Sequence, residues 1–465
     1  MSFAKNFGAV GDGKVDDTDA LQHAVDDGDG VLELSKGTYR VTRPIVLDAR
    51  KHGYLGVRGQ QGTARIVMAG AGPAFQIIGD HQGTAAPDSF QPHTWDRERM
   101  PVVTGLEILG EHPEADGIEL RRTMQATIQN LLIRRCRYGI HLVERNRNFV
   151  LNAAHIYDCH DTGVFFDQCN LHQVIIAASH ISYCKRAGIR QLNGDVHNIQ
   201  ITGNDIEYNS GYYDPGYYET GYSGPGQELS GEIVLEAPEG IISEYTIASN
   251  TIQATLDAPG ANVMIFGKAE DPPSGIRLVT ITGNVLGSRD RNIVIDHGSR
   301  ISITGNTIYG GQQLNCEFCN SRFITFGSNS CFSRPASYAS ETTDGILLDK
   351  CVGCSLVGNV LNDCRLGNEE TGGAITVRDS HNIAISACQI LNPHFRGIDV
   401  TNSSRCNISG NSIHEAKGTG RLLTAIRIAG DGSENWVHGN SVSVGANGDI
   451  QCNALNTRVE GNHAI

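Results

Sequence analysis

The chain is poor in aromatic residues, in proline and in basic side chains. Phe, Trp and Tyr make up 6% of its 465 residues, Pro occurs 14 times against 55 Gly, and 37 Lys and Arg stand against 51 Asp and Glu. The net charge of -14 argues against a nucleic-acid partner, because phosphate binding needs a basic surface. Few aromatic residues and many glycines are typical of short strands joined by turns rather than of long helices.

Long apolar runs are also lacking. The chain contains no stretch of about 18 apolar residues, so the sequence predicts no spanning helix and no membrane partner. The N-terminus MSFAKNFGAVGDG lacks the charged and then apolar regions of a secretory signal. We therefore expect a cytoplasmic protein or, if a signal has been removed, a secreted or periplasmic one. The 13 Cys, an odd number in a long chain, favour free thiols over a disulfide framework.

What the chain has in abundance is an internal repeat. The phrase ITGNTI at 303 returns as ITGNDI at 201, ITGNVL at 281 and ISGNSI at 408. The aliphatic residue after each Asn recurs at shortest intervals of 22 residues (286 to 308) to 25 residues (156 to 181). Each interval contains three short runs that alternate apolar and polar residues, as one-sided buried strands do. The repeat predicts an all-β fold, a right-handed parallel β-helix with three short sheets and about 12 coils.

The recurrent Asn is predicted to support this fold. Asn tolerates the left-handed conformation that a sharp corner between strands needs, and stacked side-chain amides can bond from coil to coil. We expect such a ladder from Asn204, Asn250, Asn284, Asn306, Asn359, Asn411, Asn440 and Asn462.

Residues 1–30 are predicted to cap the β-helix, which then runs over residues 31–465. The segment VDDTDALQHAVDDG offers Asp17 and Thr18 as N-cap candidates and an apolar helical face for burial. Its wider context, NFGAVGDGKVDDTDALQHAV, resembles the opening segment of the pectate-lyase and polygalacturonase superfamily of β-helix proteins. The resemblance implies carbohydrate chemistry in a protein of bacterial or phage-like origin. It does not fix the reaction, because the superfamily includes lyases, hydrolases, fructotransferases, epimerases and phage tail proteins.

Insertions interrupt the repeat, and most of the long ones fall at one corner of the coil. We expect long corner loops at 208–231, 309–343 and 364–373, which would wall a groove along the strands that follow them. In the resembled superfamily the same strand face carries the active site. The groove is therefore the place to search for chemistry.

Strand alternation predicts three outward carboxylates in this groove. Glu236, Asp296 and Asp349 share one outward column and are the candidate catalytic residues. Asp296 and Asp349, assigned to consecutive coils, would be about 5 Å apart, as in a retaining glycosidase. Glu236 and Asp296, assigned two coils apart, would be about 10 Å apart, closer to an inverting pair. A solvated acidic face or a cation site is the alternative interpretation.

Further residues near this face are candidates for substrate binding. Most are charged and belong to the outward columns, whereas two tyrosines belong to the loop YNSGYYDPGYYETGYSGPGQE, whose rings suit sugar stacking. The set is Asp167, Arg190, Tyr217, Tyr218, His297, Arg378, Asp399 and Arg427. The same loop could instead pack on the protein's own surface.

Together these features predict an enzyme that cleaves or rearranges glycosidic bonds of an oligo- or polysaccharide by carboxylate acid and base catalysis, of the hydrolase or transglycosylase type, without a cofactor. The motif set of polygalacturonases is incomplete here. One alternative is a polysaccharide lyase, with base and cation drawn from Lys185, Arg190, His197 and Arg378 and with Ca²⁺ as an added cofactor. The other alternative is a non-catalytic carbohydrate-binding or tail-fibre β-helix.

Two further patterns concern metals and partners. The pairs Cys316-x-x-Cys319 and Cys351-x-x-Cys354 have zinc-like spacing, but a strand's length separates them, and we predict no metal site. Apolar residues on the outward face need cover from loops or from another subunit, and the resemblance to a superfamily in which trimers are common makes a homo-oligomer, specifically a trimer, our hypothesis. They are Phe165, Val234, Met264, Phe266, Val294 and Leu347.

Overall fold

The computed structural model describes residues 2–83, 87–210, 230–334 and 342–465. Within them the chain forms short parallel strands stacked into three sheets, here numbered I to III, which confirms the predicted all-β parallel β-helix. Two compact units are distinguished, unit 1 (Met1–Thr246) and unit 2 (Ile247–Ile465).

In unit 1, sheet I carries the face that the sequence predicts to line a groove. Its strands are Ile45–Asp48, Gly72–Ile78, Ala115–Arg121, the first parts of Tyr138–Asn152 and Thr162–Ala177, Ala187–Leu192 and Gly231–Glu236. Sheet II contains Ser2–Phe3, Val31–Leu34, Gly56–Gly59, Val102–Thr104, Thr127–Gln129, the second parts of those two long strands, Asp195–Thr202 and the start of Ile241–Ala248. Sheet III contains Asp12–Asp16, Gly37–Val41, Ala64–Met68, Leu106–Gly110, Leu132–Arg134, His155–Tyr157, His180–Ser182 and Asp205–Glu207.

Unit 2 repeats the same three sheets. Sheet I consists of Ala261–Phe266, the ends of Val285–Asp296 and Thr307–Cys319, Ile346–Asp349, Ile375–Arg378, Arg396–Thr401, Thr424–Ala429 and Ile450–Cys452. Sheet II consists of Ile276–Thr282, Gly298–Thr304, Arg322–Gly327, Ser355–Val357, Ala384–Ser386, Asn407–Ser409, Trp436–His438 and Arg458–Glu460. Sheet III consists of Thr251–Gln253, the starts of the two long strands, Ser330–Phe332, Val360–Asn362, Gln389–Leu391, Ser412–His414, Ser441–Val442 and His463–Ala464.

Helices are few and short, and those described lie in unit 1. They are the α-helices Thr18–Asp26 and Ala49–His52, the 3-10 helices Ala4–Phe7 and Pro87–Ser89, and the π-helical turn Thr94–Glu98. None of the helices in the described part of the chain has the length and apolar character needed to cross a bilayer.

The helix Thr18–Asp26 lies where the sequence predicts a cap. Its buried apolar side chains are Leu21, Ala24 and Val25, and they face the first strands of sheets I and II. Gln22 also pairs with an open strand edge: its amide accepts from Val46 N at 2.8 Å and donates to Val46 O at 3.1 Å. The helix therefore covers apolar surface and satisfies backbone groups that an uncapped strand would leave unpaired.

Residues 309–343 do not form a single corner loop, and this prediction is wrong. The strand Thr307–Cys319 runs through the corner, and Arg322–Gly327 and Ser330–Phe332 complete an additional coil. The repeat was hard to see here because Ser328 separates Gly327 from Asn329, which breaks the Gly-Asn phrase. Polar residues in the run GGQQLNCEFC also obscure the alternation.

Asn side chains in unit 2 bond from coil to coil through Nδ2 to Oδ1 contacts of 2.8 to 3.2 Å. One series is Asn250, Asn284, Asn306, Asn329 and Asn359, and a second is Asn411, Asn440 and Asn462. Cys388 stands between the two series, where its thiol accepts from Asn359 Nδ2 at 3.7 Å. The left-handed corner residue is the one before Asn, for example Gly283 at φ 63° and Gly305 at φ 66°. The prediction that Asn takes the left-handed corner conformation is therefore wrong. The Asn side-chain amide makes the contacts between coils.

Candidate functional site

Sheet I of unit 2 places Asp296, Cys319 and Asp349 in one outward column on three successive coils. The register pairs Asp296 with Cys319 and Cys319 with Asp349. The two aspartates are therefore two coils and about 10 Å apart at the backbone. The predicted separation of one coil and about 5 Å is wrong, because the additional coil lies between them. Two carboxylates at this spacing leave room for a water molecule, as in inverting glycosidases.

Asp296 is an accessible carboxylate held by two neighbours. Asn320 Nδ2 donates to its Oδ1 at 2.8 Å, and His297 Nδ1 lies 2.9 Å from the same oxygen. The Asp296 side chain keeps 34% of its surface exposed. Its predicted partner His297 is thus in direct contact with it.

Asp349 has one oxygen engaged and one without a partner. Arg378 Nη2 donates to its Oδ2 at 3.0 Å, and this bond raises the pKa of Arg378. The other oxygen, Oδ1, is buried and accepts no hydrogen bond from the described residues. The structure therefore brings the predicted residues Asp349 and Arg378 together and leaves one carboxylate oxygen for another donor.

A cavity of about 400 Å³ adjoins His297 and Asn320, the two neighbours of Asp296. Its walls combine amide, imidazole, cationic and carboxylate groups, which suit the hydroxyls of a sugar. The lining residues are Ala269, Glu270, Asp271, His297, Asn320, Arg322, Lys350 and Val352.

Cys319, which lies in this column, is an unreactive thiol. Burial raises the pKa of Cys319 to about 12, so this side chain is neutral at ordinary pH and a poor nucleophile. Cys316, Cys351 and Cys354 are buried free thiols. Within the described ranges, no cysteine belongs to a group of three or more side chains close enough to share a metal ion.

Asp399 and Arg427, both predicted to bind substrate, fasten the loop that precedes the strand Ile375–Arg378. Asp399 is fully buried and accepts from Arg427 Nε at 2.6 Å, from Arg427 Nη2 at 2.9 Å and from Gly372 N at 2.5 Å. Arg396 donates to the backbone oxygens of Asn368 and Glu369 in the same loop, at 2.9 and 2.6 Å. Asp399 therefore has a structural role, because its contacts hold this loop in place.

Sheet I of unit 1 gathers a second set of charges, here named the His141 cluster: Glu119, His141, Asp167, Arg190 and Glu236. His141 Nε2 lies 3.3 Å from Asp167 Oδ2, and its Nδ1 lies 4.0 Å from Glu119 Oε2. Arg190 Nε donates to Glu236 Oε2 at 2.6 Å. The hydrogen bond from His141 lowers the pKa of Asp167. Three predicted residues thus meet here, but their charges are already paired.

Aromatic rings complete the His141 cluster. His141 stacks on Phe165 with centroids 5.5 Å apart, and the Arg190 guanidinium lies 5.0 Å from the centre of the same ring. Burial raises the pKa of the adjacent Tyr138 to about 12. Sequence reasoning did not select Glu119 or His141, although DGIEL at 116 matches YGIHL at 138 and places both residues in one outward column.

The remaining predicted residues are located as follows. Tyr217 and Tyr218 lie outside the described residues. His197, a lyase candidate, is on sheet II rather than sheet I and contacts Asp195 at 2.7 Å. Of the outward apolar residues, Phe165, Val234, Met264 and Leu347 are buried, so their burial does not require another subunit.

Sequence comparison matches residues 103–222 and 242–413 to a family described as right handed beta helix region. The two segments together cover more than half of the chain. The chain belongs to the right-handed β-helix family. The predicted superfamily and the handedness of the coil are thereby confirmed. Comparison of this β-helix chain with curated protein sequences gives no significant match.

Solved structures of β-helix proteins resemble the chain at low sequence identity. The Dettilon tailspike protein is 16% identical with a TM-score of 0.51, over 83% of this chain and 66% of that one. Tailspike protein 3 of bacteriophage CBA120 is 14% identical with a TM-score of 0.38, over 100% and 61%. The A-module of the Azotobacter vinelandii mannuronan C-5 epimerase AlgE4 is 13% identical with a TM-score of 0.39, over 100% and 99%. The chain thus spans less than two thirds of both tailspikes, and the first likeness supports the β-helix fold alone.

Proposed function

We propose that this chain hydrolyses glycosidic bonds of an oligo- or polysaccharide with inversion of configuration, using Asp296 and Asp349. One observation carries the proposal: two outward carboxylates of one column are two coils apart, with only a neutral thiol between them. That spacing admits a sugar ring and a water molecule between acid and base. The resemblance of the N-terminal segment to carbohydrate-active β-helix proteins agrees with this substrate class.

The reaction needs one acid and one base. The acid transfers its proton to the glycosidic oxygen as the bond between that oxygen and the anomeric carbon breaks. The base accepts a proton from water as the water oxygen bonds to the anomeric carbon from the opposite face. The products are two saccharides, and the two carboxyl groups have exchanged their protonation states.

The surroundings of the two aspartates suggest their roles. Asp349 receives a hydrogen bond from the Arg378 guanidinium, and its second oxygen has no hydrogen-bond partner among the described residues. Asp296 is the more exposed of the two carboxylates and contacts the imidazole of His297. We therefore assign Asp349 as the base and Asp296 as the acid, with the adjoining cavity as a sugar subsite.

A glycan screen tests this proposal. Polyuronates, fructans and neutral glycans are incubated with the chain, new reducing ends are measured, and proton NMR identifies the first anomer formed. We expect inversion of configuration, and loss of activity in Asp296→Asn and Asp349→Asn. Asp257→Asn, at an exposed position, is the matched control and should retain full activity. Retention of configuration, or full activity in both aspartate variants, would contradict the assignment.

A polysaccharide lyase remains the second candidate, and the His141 cluster favours it. β-Elimination from a uronic acid needs a base for the C5 proton and a cation for the carboxylate. His141 and Arg190 offer these groups on one face, on strands that flank the strand of Phe165. Their existing pairs with Asp167 and Glu236 make this site less available than the aspartate pair. Ultraviolet absorbance of an unsaturated product, without dependence on Asp296, would favour the lyase.

The finer predictions on partners and origin stay proposals. We propose a polysaccharide ligand and a bacterial or phage-like source. One argument for the predicted homotrimer was that outward apolar residues need cover from another subunit. Most of these residues are covered within the chain, so this argument no longer applies. Light scattering over a range of concentrations measures the oligomeric state. If the screen detects binding without turnover, the non-catalytic tail-fibre alternative is favoured.

A further inference from the structure

Asp80, His93 and Glu98 converge in unit 1 and share no residue with the charged groups described above. Asp80 follows the strand Gly72–Ile78, His93 precedes the helical turn Thr94–Glu98, and Glu98 ends that turn. One ligand atom from each of the three side chains lies within 4.8 Å of the other two. One imidazole and two carboxylates at such distances are a familiar donor set for a metal ion.

Two contacts join the three residues to one another. His93 Nε2 lies 2.7 Å from Asp80 Oδ1, and Asp80 N donates to Glu98 Oε2 at 2.9 Å. The side chains of His93 and Asp80 are 42% and 37% exposed, whereas Glu98 is only 5% exposed. The group is therefore open to solvent on the side of His93 and closed behind Glu98.

Glu98 differs from four other buried acids of unit 1, each of which meets an arginine, whereas the buried acids Asp17 and Glu232 accept from N–H groups. For the four paired acids, the Arg nitrogen to carboxylate oxygen distances are 2.5 Å for Glu33 with Arg58, 2.7 Å for Asp116 with Arg137, 3.1 Å for Glu119 with Arg121 and 2.6 Å for Glu236 with Arg190. Among the described residues, neither Arg nor Lys forms an ion pair with Glu98 or Asp80, and the nearby Arg50 pairs with Asp48 instead.

The two carboxylates share one imidazole, and within the described residues neither is in an ion pair with Arg or Lys. One imidazole, even when protonated, balances only one of the two acids. A bound divalent cation would satisfy both, as arginine does for the four paired acids named above.

We propose that Asp80, His93 and Glu98 bind a divalent transition-metal ion of the Zn²⁺ or Mn²⁺ class. The imidazole nitrogen favours these ions over Ca²⁺, which prefers oxygen ligands throughout. The site is structural, since it joins the segment around residues 87–99 to the end of the strand Gly72–Ile78. That segment also carries Phe90, whose ring lies 4.2 Å from the Arg147 guanidinium.

Metal binding is measured directly on the whole chain after treatment with EDTA and gel filtration. Isothermal titration calorimetry with Zn²⁺, Mn²⁺ and Ca²⁺ should give one equivalent of Zn²⁺ or Mn²⁺, weaker binding of Ca²⁺, and a rise in melting temperature with the bound ion. His93→Ala and the nearly isosteric Glu98→Gln should each weaken binding by about 100-fold. The matched control His463→Ala removes an exposed imidazole in unit 2 and should leave binding unchanged.

Two results would overturn the site. One is the absence of stoichiometric binding of Zn²⁺ or Mn²⁺ at micromolar concentration to the folded chain. The other is unchanged affinity in Glu98→Gln with its circular dichroism spectrum intact, since the metal would then sit elsewhere. Neither result depends on glycan cleavage, so this inference can fail while the proposed function stands, and the reverse also holds.

Discussion

The outward face of sheet I carries charges in both units, but the two units arrange them differently. In unit 1 the acids meet bases: Glu236 receives a hydrogen bond from Arg190 at 2.6 Å, and both side chains are at most 10% exposed. In unit 2 Asp296 and Asp349 stand two coils apart and are 34% and 17% exposed. Fully buried ion pairs are costly to disturb, whereas the partly exposed Asp296, and Asp349 beside the half-exposed Arg378, are available to react. We therefore expect substitutions in unit 1 to act on stability and substitutions in unit 2 to act on turnover.

The largest expected effect is on catalysis in unit 2. Asp349→Asn should lower kcat on the glycan substrate by about 1,000-fold, because an amide cannot accept the proton of water. Its free energy of unfolding should change by less than about 1 kcal/mol, because the side chain is partly exposed and Asn keeps its shape. Steady-state kinetics and urea unfolding of the same preparation measure both. A large loss of stability in Asp349→Asn would remove the contrast between the units.

The buried ion pair of unit 1 should show the opposite behaviour. Arg190→Met leaves the Glu236 carboxylate buried without its partner and should lower the free energy of unfolding by about 3 to 5 kcal/mol. The double variant Arg190→Met/Glu236→Leu should recover most of that loss. Arg378→Met is the matched control in unit 2: its side chain is 50% exposed, so breaking its pair with Asp349 should cost less than about 1 kcal/mol. Equal losses for the two arginines would contradict the comparison.

Unit 2 also contains a buried acid that accepts hydrogen bonds from a backbone N–H and a hydroxyl. Asp344 accepts from Gly311 N at 2.9 Å and from Thr342 Oγ1 at 2.5 Å, but burial outweighs both bonds and raises its pKa from 3.8 to about 7. Because the folded state holds this proton more tightly than the unfolded state, the group stabilises the fold below about pH 4 and loses that contribution as the pH rises to 7.

Asp344→Asn tests this dependence. The variant has no proton to lose and should be more stable than the parent chain at pH 8, by a few kcal/mol, with little difference at pH 4. Asn also suits the left-handed backbone at this position, where φ is 55°. Thermal unfolding followed across pH 4 to 8 measures the difference. A parent chain whose stability does not fall over this range would rule out the raised pKa.

The smallest expected effects concern the amide ladder. Asn329→Cys removes a donor and an acceptor between two coils and should lower the free energy of unfolding by about 1 to 3 kcal/mol. The reverse change, Cys388→Asn, replaces the one thiol in the series and should be neutral or stabilising, because Asn359 already points its amide at this position. Urea unfolding of the two variants compares them. A stabilising Asn329→Cys would show that the ladder bonds contribute nothing.

The parts of the fold and of the candidate site that depend on neighbouring residues could be predicted from the sequence. The parts that depend on contacts between distant residues could not. The helix Thr18–Asp26, the strand phase and the outward direction of Asp296 and Asp349 follow from local alternation and capping signals. The assignment of Asn to the left-handed corner was wrong because either Gly or Asn can take that conformation, and only the backbone shows that Gly283 does.

The sequence by itself determined the repeat, and through it the parallel β-helix and the face on which the acids stand, because side-chain direction alternates along each strand whatever the coil contacts. Only the tertiary structure decided the number of coils between Asp296 and Asp349, and so their separation. It also decided that Arg190 meets Glu236, 46 residues away, while Asp399 is closed under a loop. These outcomes depend on how coils stack, and one coil with an altered corner phrase shifts every later neighbour by about 4.8 Å.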